Sequence, residues 1–171
     1  MAAAKGKAAG GLMAAALKFL KRANKRNRPG RMNSHFRDHV IGGGHVKPGM
    51  PKGSGYHYRP GGQDFPDRRL VPGTKVVDPK TGAYRAEPEF FDSTLNPPNG
   101  AWKPKAGNGG ESSFFPDNWT PAQVDAAIPG AFRNATPVPG TNKWQGDYNG
   151  LTVEGFYNSS GGFTHGWPVV P

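Results

Sequence analysis

The sequence lacks cysteine entirely, and its first 37 residues lack any acidic side chain. Without cysteine the chain forms no disulfides, and thiolate nucleophiles and thiolate metal ligands are excluded. The first 37 residues carry ten Lys or Arg, whereas the remaining 134 residues carry twelve basic and twelve acidic side chains, so the whole net charge of +10 lies in the N-terminal segment. Such a segment is either a solvated linker or an attachment point for nucleic acid, an acidic partner or a membrane surface.

Apolar residues are also few, at 35% of the chain, and no apolar run approaches the roughly 20 residues of a membrane span. Glycine and proline together number 44, which favours short strands and many turns over a helical bundle. Ten Phe, five Tyr and four Trp are available to anchor a core. The composition therefore indicates one domain with a modest, aromatic core.

Hydrophobic periodicity, together with capping and turn residues, predicts a small set of helices and strands. A basic amphipathic helix is expected from Leu12 to Asn24, and a second helix begins at Thr120, where Thr120, Pro121 and Gln123 form a capping pattern. Four strands are expected, at Lys75–Asp78, Ala83–Phe91, Leu151–Tyr157 and Phe163–Val170, and the last two are joined by a turn into a hairpin.

Two histidines and a lysine are candidate catalytic residues. His45 and His57 lie in a glycine-rich basic stretch, and Lys105 follows in Trp102–Lys105. Cleavage of RNA without a metal needs a base for the 2′-hydroxyl proton, an acid for the departing 5′-oxygen and a cation for the charge that builds on phosphorus. Because imidazole titrates near neutrality, two histidines and a lysine can supply all three.

The order of several motifs resembles the EndoU endoribonuclease family, in particular the bacterial EndoU domains at the C-termini of polymorphic toxins. The resemblance covers roughly residues 43–171, and the block Ser112–Trp119, which reads SSFFPDNW, is its most specific part. The other matching segments are His45–Gly49, Gly55–Pro60, Gly82–Ala86, Trp102–Lys105 and Gly162–Val170.

The resemblance implies an α+β fold of two small antiparallel sheets flanked by short helices, with the active cleft between the sheets. It divides the chain into a basic N-terminal helix or linker, residues 1–37, and a nuclease domain, residues 38–171. It further implies His57 as general base, His45 as general acid, with the two roles exchangeable, and Lys105 as the cation on the phosphorane. No cofactor or metal is expected.

Substrate contacts follow from the same comparison. Ser112 is the candidate for a uracil edge, since a hydroxyl both donates and accepts, and Arg59 belongs to a local basic patch. Where relatives tend to read Thr-x-Tyr-Pro, this chain reads His165-Gly-Trp167-Pro168. Trp167 can stack on a base, and either His165 or Thr164 takes the place of the threonine hydroxyl.

Two alternatives stay open for the histidines. His39 begins a second His-Val sequence and competes with His45 for alignment. His35 and His39 are four residues apart, the spacing of a metal pair on a helix, although the glycines after His39 argue against a stable helix there.

The predicted function is cleavage of RNA, either tRNA or bulk RNA, to 2′,3′-cyclic phosphate and 5′-hydroxyl ends, with uridine as the candidate base at the cleavage site. The resemblance implies a toxin domain that is delivered into the cytoplasm of a target cell and neutralised in the producer by a cognate immunity protein. The alternatives are a metal-dependent nuclease that uses His35 and His39, and a non-enzymatic basic RNA-binding or scaffold protein.

Overall fold

The computed structural model describes residues 2–25 and 28–171, with side chains from Gly10 onward. The described residues form three α-helices: α1 (Ala2–Ala23), α2 (Ser34–Val40) and α3 (Pro121–Phe132). Ten short strands form three antiparallel sheets. The α+β class is confirmed, with three sheets where the sequence predicts two.

The first two sheets have three strands each. One has the order β1-β4-β5, and the other has the order β2-β3-β6. The strands of the first are β1 (Arg68–Leu70), β4 (Pro88–Asp92) and β5 (Ala101–Pro104); those of the second are β2 (Val76–Val77), β3 (Tyr84–Ala86) and β6 (Ser112–Phe114). The predicted strand Ala83–Phe91 is thus divided at Glu87 between two sheets.

The third sheet is a four-stranded meander with the order β10-β9-β8-β7. Its strands are β7 (Thr136–Pro137), β8 (Lys143–Tyr148), β9 (Leu151–Tyr157) and β10 (Phe163–Pro168). The predicted C-terminal hairpin is therefore confirmed. Its register shifts by one residue between Phe163 and Gly166, which is a β-bulge in β10.

Helix α3 packs against the third sheet and begins as predicted. The Thr120 hydroxyl accepts from the amide of Gln123, and the Gln123 side chain accepts from the amide of Thr120, so the capping box is complete. Pro129 lies inside the helix, which continues to Phe132. Its inward face is fully buried at Val124, Ala127, Ile128 and Ala131.

Helix α1 is part of the same core. Ala16 is completely buried, and Met13, Phe19 and Leu20 pack on the core, while Leu17 is 44% exposed. The buried guanidinium of Arg37, on α2, joins three elements: it donates to Asp125 of α3 at 3.2 Å and to the carbonyls of Met32 at 2.6 Å and Ala23 at 3.3 Å. The predicted domain boundary after residue 37 falls inside α2.

Aromatic side chains fill the interior, as the composition indicates. Phe114 and Phe115 from the SSFFPDNW block are completely buried, and Phe114 stacks on Tyr84 with ring centroids 4.9 Å apart. Each buried ring of this size contributes on the order of 2–3 kcal/mol by removal of apolar area from water. The block therefore forms part of the buried core that supports the functional side chains.

Candidate active site

A cavity of about 650 Å³ lies between the β2-β3-β6 sheet and the four-stranded sheet. We call the side that carries His39, His57, Lys105 and Ser112 the near wall. The opposite side, which carries Phe156, His165 and Trp167, is the far wall. The cleft between two sheets that the sequence predicts is therefore present.

The near wall brings two histidines together through backbone hydrogen bonds. Asn33 caps α2 by accepting from the amide of Phe36, and the helix ends near His39. The amide of Tyr56 then donates to the His39 carbonyl at 2.8 Å, and the amide of His57 donates to the Val40 carbonyl at 3.2 Å. The result is a distance of 5.8 Å between the ring centroids of His39 and His57.

Glycine at position 55 permits this approach. Gly55 has φ +81°, in the left-handed region, and a Cβ there would lie 2.4 Å from the His39 carbonyl oxygen. Any side chain would push α2 away from the segment that carries His57. The glycine-rich composition of this stretch thus has a direct consequence for the spacing of the imidazoles.

Lys105 reaches the cavity from the end of β5. The loop around Gly53 pairs with this segment, since the Gly53 amide donates to the Pro104 carbonyl at 2.9 Å and the Ala106 amide donates to the Gly53 carbonyl at 2.7 Å. Lys105 Nζ donates to the Ala106 carbonyl at 3.2 Å, and burial lowers its pKa. The ammonium is thus held on the near wall with capacity for further acceptors.

Lys103, two residues earlier, is buried in the interior. Its side chain is only 3% exposed, and Nζ donates at 2.8 Å to each of three oxygens, which are the carbonyls of Lys47 and Met50 and the carboxylate of Asp92. This ion pair lowers the pKa of Asp92 below its usual value. Lys103 is therefore a structural residue that ties the loop after His45 to β5.

The far wall owes its shape to the bulge in β10. The Thr164 hydroxyl donates to the Phe156 carbonyl at 3.3 Å and lies 3.1 Å from Nδ1 of His165, which is then the donor. His165 and Trp167 both line the cavity, whereas Thr164 does not. The ring centroids of Trp167 and His57 are 6.1 Å apart across the cleft.

All five histidines of the chain belong to one cluster. His39 lies at its centre, with ring-centroid distances of 4.6 Å to His165 and 5.4 Å to His45. His45 stacks on the exposed His35 at 4.6 Å, and its Nε2 donates to the His35 carbonyl at 3.2 Å. His45 thus lies behind His39, outside the cavity lining.

Burial and neighbouring positive charge keep the imidazoles of His39, His57 and His165 neutral. The pKa of His39 is lowered to about 2, first by burial and then by the positive charge that His57, His165 and other neighbours can carry. The pKa of His57 is lowered to about 3 by burial and by Lys105, and that of His165 to about 4 by burial and His35. Burial also lowers the pKa of His45. At neutral pH the near wall therefore presents neutral imidazoles beside Lys105.

The chain was compared with known proteins. A family profile described as bacterial EndoU nuclease matches residues 33–170. The chain belongs to the bacterial EndoU nuclease family. No curated protein and no solved structure matches the chain.

This EndoU chain is a nuclease, so its substrate is nucleic acid. Five predicted site residues line the cleft: His57, Lys105, Ser112, His165 and Trp167. Three do not: His45, Thr164 and Arg59. Arg59 is turned away because Asp64 holds its guanidinium with two hydrogen bonds, at 2.7 Å and 3.2 Å.

Other residues of the EndoU cleft were not selected from the sequence. The sequence offers His39 as a competing alignment for His45 and as half of a metal pair, and the backbone contact of His39 with Tyr56 is a long-range feature that motif spacing does not reveal. Arg85, Glu111, Lys143 and Glu154 also line the cavity and form two ion pairs, Arg85–Glu111 at 3.7 Å and Lys143–Glu154 at 3.6 Å. Arg85, Lys143 and Glu154 lie in ordinary strands and Glu111 directly precedes one, and this sequence context gave no signal.

The predicted metal pair finds no ligand set. His35 and His39 lie on one helix, α2, which forms despite the glycines that follow it. Across residues 2–25 and 28–171, however, no group of three or more His, Asp or Glu side chains is arranged to hold a metal ion. Within the same residues no helix is long and apolar enough to cross a membrane.

Proposed function

We propose that this EndoU nuclease cleaves RNA by attack of the 2′-oxygen on the adjacent phosphorus, with His57 as base, His39 as acid and Lys105 as the cation. The products are a 2′,3′-cyclic phosphate and a 5′-hydroxyl. The observation that carries the proposal is the arrangement of these three side chains around one cavity. The acid role passes from His45 to His39, because His45 lies outside the cavity lining.

The tautomer of His57 suits a general base. Nδ1 of His57 lies 2.8 Å from the carbonyl oxygen of Ser113, which can only accept, so Nδ1 carries the proton. Nε2 then keeps its lone pair. With a pKa of about 3, the ring is neutral at physiological pH and ready to accept the 2′-hydroxyl proton.

His39 becomes an acid when the substrate enters. In the free protein its pKa is about 2, because burial and neighbouring imidazoles disfavour the charged form. A phosphate anion placed between the rings stabilises the imidazolium and raises that pKa. His39 then gives its proton to the 5′-oxygen as the P–O bond breaks, while the Lys105 ammonium offsets the charge on the phosphorane.

The far wall selects the nucleotide. Trp167 offers a stacking face and no phenol oxygen, while Nε2 of His165, which carries no proton in the neutral ring, is left to accept from a base edge. On the near wall, the buried Ser112 hydroxyl lies 3.3 Å from the Gly55 carbonyl and is the second polar contact available to a uracil. We therefore expect uridine preference to be relaxed relative to a tyrosine-and-threonine site.

In its biological setting, the chain is proposed to be a toxin domain that is delivered into the cytoplasm of a target cell, where it cleaves tRNA or bulk RNA. A cognate immunity protein would protect the producer. Membership of a bacterial nuclease family whose domains occur in polymorphic toxins supports this setting.

The test is cleavage of total RNA and of a uridine-containing dinucleotide, with and without EDTA, followed by analysis of the end groups. We expect cleavage that survives EDTA and leaves a 2′,3′-cyclic phosphate. Cleavage that is lost with EDTA and restored by a divalent metal would replace this mechanism with a metal-dependent one. RNA binding without cleavage would assign the chain to the non-enzymatic binders.

A further inference from the structure

A second cavity, of about 700 Å³, lies between α1, α2 and the start of α3. We call it the basic cavity. Its charged lining is almost entirely cationic, and among the described residues that line it Asp125 is the one acid. The cations are Lys18, Arg22, Arg28, Arg31 and Arg37. A concave surface of this composition attracts polyanions.

The single carboxylate does not neutralise the basic cavity. Asp125 is engaged by Arg37 at 3.2 Å, and Arg31 approaches it at 3.9 Å. Arg37 is itself buried and also donates to two backbone carbonyls. The other lining cations, Lys18, Arg22 and Arg28, form no ion pair with any residue that the structure describes. Their charges are therefore available to a ligand.

The walls of the basic cavity are built into the fold. Helix α1 is fixed by the fully buried Ala16 and by its contacts with the core, so Lys18 and Arg22 are presented on a supported helix one turn apart. Thr120 and Pro121, at the start of α3, complete the lining, which puts the positive end of the α3 dipole on the same side as the cations.

Helix α2 separates the basic cavity from the active cleft. Arg37 lines the basic cavity, and His39, two residues later on the same short helix, lines the cleft. The two cavities are thus about one helix diameter apart, roughly 10 Å. Because this distance is small, a single polyanion can occupy both. This continuity favours the nucleic acid substrate over an acidic polypeptide as the occupant.

We propose that the basic cavity binds the phosphodiester backbone of the RNA substrate outside the nucleotides held in the cleft. The inference rests on the proposed endoribonuclease function. It means that long RNAs are held at two places, at the reacting phosphate and at phosphates across α2. A dinucleotide is held only at the first, so RNA length becomes a determinant of KM.

The binding experiment uses the full chain with His57→Ala to prevent cleavage, and follows the anisotropy of a fluorescent single-stranded RNA of about 20 nucleotides over a salt series. Lys18→Gln with Arg22→Gln removes two lining cations, both on exposed side chains. The matched control is Lys21→Gln with Lys25→Gln, an equal charge change at exposed residues that do not line the cavity.

For the lining pair we expect Kd to rise on the order of tenfold at 0.1 M salt, and the slope of log K against log salt to fall in magnitude by about 1.4, the value for two contacts on a single strand. For the control pair we expect less than half of either effect. Cleavage assays without the His57 change should show the same loss of kcat/KM on the long RNA, with dinucleotide cleavage retained.

Equal weakening by the two pairs would overturn the proposal, since it would show diffuse attraction without a site. Unchanged RNA affinity in the lining pair would also overturn the proposal. If that pair lost affinity for a poly-glutamate probe instead, the ligand of the basic cavity would be an acidic polypeptide. Failure of the wild-type chain to cleave the dinucleotide would contradict the proposed function alone, because the binding result does not depend on catalysis.

Discussion

The near wall of the cleft is held by hydrogen bonds between segments that are distant in the sequence, whereas the far wall is a β-hairpin with one bulge. His39, His57 and Lys105 are all positioned by backbone pairs that join distant segments: residue 39 to 56, 40 to 57, and 53 to 104 and 106. His165 and Trp167 are positioned by their place in β10. The near wall therefore has little freedom to vary without loss of geometry, whereas side chains on the far wall can be exchanged on an unchanged backbone.

The largest test of this difference is removal of the proton-transfer groups. His39→Ala and His57→Ala should each lower kcat by about 10²- to 10⁴-fold, the usual contribution of a positioned acid or base. His45→Ala is the matched control, a histidine of the same cluster outside the cavity lining, and it should cost far less. A severe loss in His45→Ala beside a mild one in His39→Ala would restore the acid role to His45.

Acidification should destabilise the cluster that joins the two walls. The pKa values of His39, His57 and His165 are about 2, 3 and 4 in the folded protein and near 6.5 in the unfolded chain. The unfolded state therefore binds more protons below pH 6.5, and stability that is complete above that pH is lost as the pH falls. Each imidazole contributes up to about 1.4 kcal/mol per pH unit in this window.

Urea unfolding followed between pH 7 and pH 5 measures this effect above the range in which carboxylates titrate. His165→Gln should lower the slope of the unfolding free energy against pH by roughly a quarter to a third, since it removes one of the four imidazoles whose pKa is lowered. The exposed His35→Gln should change the slope less, since burial is a larger cause than His35 of the lowered pKa of His165 and of His45. A wild-type free energy of unfolding that stays constant from pH 7 to pH 5 would contradict the assignment of neutral, buried imidazoles.

On the far wall, Trp167→Ala should reduce kcat/KM by a similar factor on every RNA sequence. The loss of one base stack corresponds to about 1–3 kcal/mol. Cleavage of a set of dinucleotides that differ in one base measures it. Loss confined to one base would show that Trp167 reads sequence and does more than stack.

The smallest effect on rate, and the clearest on selectivity, is expected for His165→Ala. Its Nε2 is free of protein partners among the described residues while Nδ1 contacts Thr164 at 3.1 Å, so its removal deletes a contact to the base edge and leaves the proton-transfer groups in place. Mapping of cleavage sites on a mixed RNA should show a broader choice of base. An unchanged strict preference for uridine would direct attention to Ser112.

Local signals in the sequence predicted much of the fold. The capping box at Thr120 and the C-terminal hairpin both follow from residues close together in the chain, and both are confirmed. The division of Ala83–Phe91 between two sheets was not predictable. Where the pairing is interrupted, at Glu87 and Pro88, depends on which strands lie beside this segment, and those strands are distant in the sequence.

The candidate site shows the same limit. His39 and His45 both begin a His-Val-x-x-Gly sequence, so the motif gives them equal standing. What separates them is a long-range contact, the hydrogen bonds from residues 56 and 57 to the end of α2. Lys105 and Trp167, by contrast, each have a motif in one register, and both line the cleft.

Lys103 and Lys105 are chemically identical and two peptide units apart, yet one is locked in the interior and the other faces the substrate cavity. The difference lies in the partners: Lys103 is bonded to the buried Asp92 carboxylate, and Lys105 to the Ala106 carbonyl, which is beside it in the cavity lining. Since the strand alternates faces, the insertion or deletion of a single residue ahead of them would turn both side chains over. This segment should therefore accept many substitutions during divergence while its length stays constant.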